Sequence, residues 1–533
     1  MTKKIEYFID KVVKSKIMPL MLFFFIVSIG FLLRSKPYLQ GNFNYFLDQS
    51  RDLLLTKQIV VDHRITLIGA RAGIAGVFHG PLWLYMIAPF FYLAKGNPFY
   101  TLVPLFLIIN LLPILLAYFA GTKLYDKSTG FIWSFCIAIS STLIEPSFIT
   151  SNAQVMPILF LSYLALMLLY MRGKEISFVF VLLLIGLAFQ FESAFAIFLI
   201  PLTIFGVLLF KKIPPLKSLL LGSLLMILSV SNFIIFELRH KFLMTHSAYK
   251  LFDGSIKPFS DYKQLANIGF RVYDRILGLI NYFFTPLFQH NTIINLLVLF
   301  VLLSAIFLLL KKIKSNGIIE KEDKEYIFIL SIPFLYYLIY ILYPFPLWGQ
   351  YTIALSVSAS LLLALSIKRV HDRLNNKIFL YLLILILALP SLSWIYVNYF
   401  GSLANKQEFK NYKEQMAVAN YIFKDNPDKN KVGYFVYDSG SLTYNMDYLM
   451  WYLGKKYDKE AVNEKLPITY LILNSPPKWN SSDRNYWIEN VIKTNGHVLT
   501  RKRFSNEMIV EKRAIPKNEP PPDANYFQNL IFR

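Results

Sequence analysis

The densest run of side chains able to do chemistry lies near the start of the sequence, in FLDQSRD: Asp48, Gln49, Ser50, Arg51 and Asp52. If residues 45–59 form a helix, Asp48 and Asp52 share a face at i,i+4, with Arg51 beside them at i+3. A carboxylate flanked by apolar residues just beyond a membrane is partly desolvated. It acts as a general base when a substrate hydroxyl reaches it. The same spacing suits a helix N-cap or an interfacial carboxylate paired with Arg51. Spacing alone leaves both readings open.

Two basic groups follow in glycine-rich surroundings, LIGARAGI and GVFHGPL. Arg71 offers a planar donor fork that matches a phosphate; its alternative is contact with lipid head groups. His79, between Gly76 and Gly80-Pro81, could donate to a phosphate oxygen or serve structure alone. Farther along, Gln190 and Glu192 in FQFES end an apolar run and could hydrogen-bond a sugar or an acceptor. Trp348, Gln350 and Tyr351 in PLWGQY could close a pocket or anchor the chain at a membrane interface. Residues 237–290 add Arg239, Lys241, Arg271 and Arg275, with Tyr249, Tyr262 and Tyr273. Those tyrosines could stack on sugars; any of these groups could equally face solvent or head groups.

These residues are spaced between long apolar runs. The 533-residue chain is 55% hydrophobic and 17% charged, with mean hydropathy +0.46. That excludes disordered, collagen-like and disulfide-scaffold classes and an ordinary soluble enzyme. The net charge of +22 comes from 55 Lys and Arg against 33 Asp and Glu. Basic cytoplasmic loops and a polyanionic substrate outside account for it; no nucleic-acid module stands out, so nucleic acid is not expected as a partner. The single cysteine, Cys136, excludes an internal disulfide and a multi-cysteine metal site.

Apolar spans lie near 17–33, 99–121, 129–145, 154–171, 177–191, 194–210, 216–236, 291–310, 326–343, 351–367 and 378–398. This predicts about eleven crossings. The first run lacks a small-residue cleavage site and is long enough to span, so it reads as an uncleaved helix. With the N-terminus inside, Lys and Arg fall in the inner loops: Lys123/Lys127, Arg172/Lys174, Lys211/Lys212/Lys217, Lys311/Lys312/Lys314 and Lys368/Arg369/Arg373/Lys377. Residues 81–94 are apolar but short. Counting them as a crossing would invert every later loop, so they read as a juxtamembrane or re-entrant helix in one long outer loop, 34–98. Odd parity sends the C-terminus outside. There, residues 401–513 read as a small extracytoplasmic α/β domain. It has helices over 408–424 and 485–494 and strands over 431–437, 468–473 and 507–511. Residues 514–533 read as a flexible tail. The predicted fold class is an all-α polytopic membrane domain, residues 1–400, followed by that α/β domain.

Over about residues 10–400, and most specifically in its first outer loop, the sequence resembles the superfamily C integral-membrane glycosyltransferases, which include the protein O-mannosyltransferases and the aminoarabinose transferases of lipid A. Asp48 in FLDQSRD matches the acidic motif that supplies the family's base; Gln49 stands where many members carry a second acid. His79-Gly80-Pro81-Leu82 matches the element that contacts the lipid phosphate. Ser151-Asn152-Ala153-Gln154 aligns with a second loop that bears an Asp in some members. With no carboxylate there, a divalent metal finds no support and no metal ligand is assigned. The resemblance implies an inverting hexosyl- or pentosyltransferase in the cytoplasmic membrane. Its donor is a sugar on a polyprenyl phosphate; its acceptor is a lipid, glycan or protein hydroxyl. Asp48 is implied as the catalytic base, with Gln49, Arg51, Asp52, Arg71, His79, Asn152, Gln190, Glu192 and Tyr351 about the substrates. The alternatives are a lipid-linked glycan flippase or transporter, and an envelope glycan ligase or polymerase. The first should carry mid-span charges, yet Glu145 and Glu192 fall at helix ends. The second should carry a large outer loop late in the chain, whereas the largest here is early.

Overall fold

The computed structural model describes residues 17–523, apart from residues 42, 44, 46, 75, 149, 253–259, 286, 288–290, 318, 401–411, 439–442, 475–480 and 505–507. The N-terminal basic stretch, the start of the 408–424 helix and residues 524–533 therefore lie outside the described residues. The chain is mostly helical, with one five-stranded sheet near its C-terminus.

Every apolar run expected to span is helical. Among the described residues, six helices are long and apolar enough to cross a membrane, and the bent pair Leu216–Ser229 and Ser231–Arg239 makes a seventh if it is one span. Lys127–Ile139, Ile176–Phe191 and Leu380–Ile395 are shorter apolar helices. Leu82–Leu93, 12 residues long, is too short to span alone, as its sequence predicts. The first helix, Ile17–Leu39, runs past its expected end at residue 33. Arg34 explains the extension: buried in the last turns, it donates from Nη1 to the Ala138 carbonyl (2.7 Å) and from Nη2 to that of Ile137 (2.9 Å). It thereby satisfies carbonyls that the end of Lys127–Ile139 leaves open. These helices make a multi-pass membrane protein.

By its packing the chain separates into two compact units. The first comprises residues 1–36, 67–83 and 104–406. Its helices turn large apolar side chains outward, such as Phe300 and Phe307, and join inside through small residues and hydroxyls. A methyl group added at Gly121 would come within 2.7 Å of the Gly130 Cα, so glycine lets helices Pro98–Leu124 and Lys127–Ile139 touch backbone to backbone. Tyr163 shares a hydrogen bond with Thr203 (2.8 Å) and Tyr326 with Ser366 (2.8 Å).

The second unit comprises residues 37–66, 84–103 and 407–533. Strands β1 (Lys431–Asp438), β2 (Glu460–Val462), β3 (Ile468–Asn474), β4 (His497–Arg503) and β5 (Met508–Ala514) form a sheet ordered β2-β1-β3-β5-β4. The β2, β1 and β3 strands run parallel; β5 pairs antiparallel with both β3 and β4. The parallel strands β1 and β3 are covered on both faces, as parallel strands require. Phe435, Tyr437, Leu471 and Leu473 meet Trp487, Ile488 and Ile492 on one face. On the other, Tyr434 donates to Asp447 (2.9 Å) on helix Tyr444–Tyr457, and Tyr470 to Asp425 (2.9 Å) on helix Tyr412–Asp425.

Two features of the packing concern the chain ends of these units. Parts of the first loop belong to the same compact unit as the sheet. Helix Leu47–Val60 packs on Tyr444–Tyr457; Phe43 stacks on Tyr412 at 5.0 Å, and the Tyr448 hydroxyl donates to the Gly96 carbonyl (2.7 Å). The tail is also tied down as far as Asp523. Glu519 pairs with Lys465 (3.0 Å) and accepts from Thr494 (3.0 Å), and the Asp523 N–H donates to Val491 (2.7 Å).

Candidate functional site

The acidic residues of the first loop sit on helix Leu47–Val60 in the second unit. Helical spacing brings Asp48 and Asp52 together on Arg51, as expected. Arg51 reaches Asp48 with Nη1 (2.8 Å) and Asp52 with Nη2 (2.9 Å) and Nε (3.0 Å). Their environments differ. The Asp52 side chain is 2% exposed and that of Asp48 41%. Burial opposes the charge on Arg51, but Asp52 and Asp48 outweigh it and raise its proton affinity. A bridging guanidinium thus fixes a buried carboxylate on one side and orients a half-exposed one on the other. Gln49 is buried, and neither side-chain amide atom has a hydrogen-bond partner among the described residues.

The remaining candidates belong to the first unit. Residues 69–79 form a small hairpin. Gly69 N–H donates to the His79 carbonyl (2.8 Å), His79 N–H to that of Ala70 (2.9 Å), and Ala72 N–H to that of Val77 (2.9 Å). Phe78 anchors the hairpin, packing with Ile68 and Phe236. Arg71, across from Phe78, is exposed and has no ion pair among the described residues. The His79 ring is half-buried. Gly80 lies against Gln190; an added methyl would come within 2.6 Å of the Gln190 Cα. Gln190 in turn donates to the Ser229 carbonyl and the Asn232 amide oxygen (both 2.7 Å), while Asn232 donates to the Leu67 carbonyl (2.8 Å). Gln190 is therefore committed to holding the hairpin. Asn152 is likewise engaged, donating to the Phe191 carbonyl.

Glu192 occupies the single-residue break between Ile176–Phe191 and Ser193–Phe210. It is buried, and burial pushes its carboxyl up to about 8 against the lowering influence of the Ala194 amide. Tyr336, Tyr340, Tyr343 and Tyr351 all interact electrostatically with it. Tyr336 donates to the Tyr351 carbonyl (3.0 Å). The Tyr351 hydroxyl lies 3.7 Å from where a methyl on Gly73 would sit, so the hairpin tip and this tyrosine cluster are neighbours. Sequence reading found Tyr351 but not Tyr336, Tyr340 and Tyr343. Their i, i+4, i+7 spacing was the available signal.

Arg275, one of the basic groups of residues 237–290, is engaged within the fold. It is 1% exposed. It donates to the carbonyls of Tyr340 (3.1 Å), Tyr343 (3.1 Å) and Phe345 (2.7 Å) and pairs with Asp274. It caps the end of Lys321–Ile339. Among the described residues no three His, Cys, Asp or Glu side chains gather as a metal-binding group.

No protein-family model and no curated protein matches the chain by sequence. Solved structures do match. ArnT from Cupriavidus metallidurans bound to undecaprenyl phosphate is similar with TM-score 0.58 and 10% identity, over 93% of this chain and 98% of that one. Its apo form gives TM-score 0.57 at 10% identity, over 92% and 97%. The Archaeoglobus fulgidus oligosaccharyltransferase, solved with zinc and sulfate, gives TM-score 0.50 at 13% identity over 83% of this chain. The chain spans only 62% of that protein's length, but almost all of ArnT. It shares their fold, in agreement with the resemblance drawn from the first loop.

Proposed function

We propose that this chain is an inverting membrane glycosyltransferase that moves a sugar from a polyprenyl-phosphate donor to an acceptor hydroxyl on the outer face of the cytoplasmic membrane. The observation that carries this reading is the half-exposed Asp48 carboxylate held on Arg51, in a chain with the fold of ArnT, which has been solved with undecaprenyl phosphate. Asp48 is the general base. As it takes the acceptor proton, the acceptor oxygen bonds to the anomeric carbon from the face opposite the phosphate. The carbon–oxygen bond to the lipid phosphate breaks, and the phosphate departs with the electron pair. Arg71, exposed and unpaired among the described residues, stabilises the charge that gathers there. His79 contacts the same phosphate. Tyr351 and Glu192 contact the sugar. Gln49, with its unpartnered amide, hydrogen-bonds donor or acceptor. Arg51 and Asp52 position the base. Gln190 and Asn152 act by holding the hairpin and the Phe191–Glu192 turn in place.

The test is Asp48→Asn in membranes supplied with labelled polyprenyl-phosphate sugar. Transfer should fall by about 10²–10⁴-fold, the usual worth of a general base, while labelled donor still binds. Undiminished transfer would remove Asp48 as the base.

A further inference from the structure

We propose that a basic cavity formed by helices Thr292–Asn316, Lys321–Ile339 and Leu355–Leu374 binds the phosphate head group of an anionic membrane lipid. The cavity measures about 500 Å³. It is lined by Lys311, Lys312, Lys368, Arg369 and Arg373, against the carboxylates Glu322, Asp323 and Asp372. Five cations and three carboxylates line it, and two further carboxylates outside the lining, Glu320 and Asp126, pair with Lys312 and Lys368.

The charges fall into two groups. Asp323, 1% exposed, accepts from Arg369 (2.9 Å) and pairs with Lys312 (3.0 Å). Lys312 also pairs with Glu320 (2.7 Å), Lys368 with Asp126, and Arg369 lies over the Tyr326 ring at 4.7 Å. These groups are mutually satisfied and make a fixed frame. Lys311 and Arg373 are exposed and have no ion pair among the described residues. Together they offer a point charge and a planar donor fork to one anion, the combination that suits a phosphate.

A lipid is favoured over a free anion by what adjoins the cavity. Leu308 and Leu365 line it among the charges. On the same helix as Lys311, Phe300, Leu303, Phe307 and Leu310 are 66%, 56%, 63% and 60% exposed. Their spacing of three and four residues makes one apolar stripe that ends at Lys311. Acyl chains lying on that stripe bring a phosphodiester to Lys311 and Arg373. A soluble anion has no use for the stripe. The cavity stands at the loop ends where the Lys/Arg distribution predicts the inner, anionic leaflet. This inference is independent of the transferase reading.

The test uses the full chain purified in detergent, with phosphatidylglycerol as probe, phosphatidylcholine as the uncharged-net control and inorganic phosphate as the soluble one. Binding is read by native mass spectrometry and by the rise in unfolding temperature. Phosphatidylglycerol should bind and stabilise the wild type, and Lys311→Gln/Arg373→Gln should weaken this by about tenfold or more, as expected for losing charge-assisted bonds. The charge-preserving Lys311→Arg/Arg373→Lys should keep most of the affinity. Lys217→Gln, on helix Leu216–Ser229, which contributes no residue to the cavity lining, should leave binding unchanged. Equal binding by the glutamine variant and the wild type would overturn the site. Equal stabilisation by phosphatidylcholine, or by inorganic phosphate alone, would overturn its assignment to an anionic lipid.

Discussion

Asp48 and Asp52 lie one helical turn apart and share one guanidinium, yet their substitution should have opposite signatures. Asp52 is buried, and its removal leaves the Arg51 charge without its main partner; Asp52→Asn should cost about 3 kcal/mol of stability, as breaking a buried pair does. Asp48 is half-exposed, and Asp48→Asn should cost under about 1 kcal/mol. Thermal unfolding of both variants, compared with their transfer rates, separates a structural carboxylate from a chemical one: Asp48→Asn should unfold like wild type while losing activity. A third carboxylate supplies a pH signature. Asp447 accepts from the hydroxyls of Tyr434 (2.9 Å) and Thr443 (2.6 Å), but burial dominates and pushes it from 3.8 to about 6. Between those values the folded chain keeps a proton that the unfolded chain releases. This contribution to stability is full below about pH 3.8 and is lost as pH rises to about 6. Asp447→Asn should remove that slope, so the difference in unfolding temperature between variant and wild type should move in the variant's favour across this window. A constant difference would mean that the carboxyl titrates normally.

At the scale of elements, the hairpin at residues 69–79 depends on having no side chain where it meets its support. A methyl on Gly80 would meet the Gln190 Cα at 2.6 Å, and one on Gly69 the Gly80 carbonyl oxygen at 2.3 Å; both are backbone atoms that cannot swing aside. Gly73 at the tip has only ordinary contact, 3.7 Å to Tyr351. Gly80→Ala should therefore displace the hairpin and weaken donor binding by about tenfold or more, while Gly73→Ala should stay near wild type. Donor titrations of the two variants make the comparison; equal affinities would show that the hairpin does not hold the donor. The glycines and His79 were legible in the sequence, but not the Gln190–Asn232–Leu67 chain of hydrogen bonds beneath them, which joins residues far apart in sequence. The same limit recurs. Apolar runs and the strands at 431–437 and 468–473 were readable because burial writes itself into composition. β4 was not, since HVLTRKR is exposed throughout and carries no alternation. Helix ends at Lys211, Asn375 and Asp458 adopt left-handed backbone without glycine. The packing of Leu47–Val60 on Tyr444–Tyr457 joins segments almost four hundred residues apart, which no periodicity reveals.

For the whole molecule, the decisive property is which side of the membrane each charged segment faces. On the proposed reading the Lys/Arg clusters lie in inner loops, because translocating them is unfavourable, and the first loop and the C-terminal sheet lie on the outer side. Packing adds a constraint that charge counting lacks. Residues 37–66 and 407–533 belong to one compact unit, so both must lie on the same side, whichever it is. Cys136 is fully buried, so the native chain should give little background with a thiol reagent. Single cysteines can then be placed at exposed positions: Arg64→Cys and Lys456→Cys in that unit, Lys217→Cys and Lys314→Cys in the basic loops. In intact cells a membrane-impermeant maleimide should label positions 64 and 456, and reach 217 and 314 only after the membrane is opened. The reverse pattern would put Asp48 in the cytoplasm, beyond the reach of an outer-face acceptor, and the proposed reaction would fall with it. Labelling of 64 and 456 from opposite sides would instead break the compact unit while leaving the charge rule intact, so the two failures are distinguishable in one set of gels.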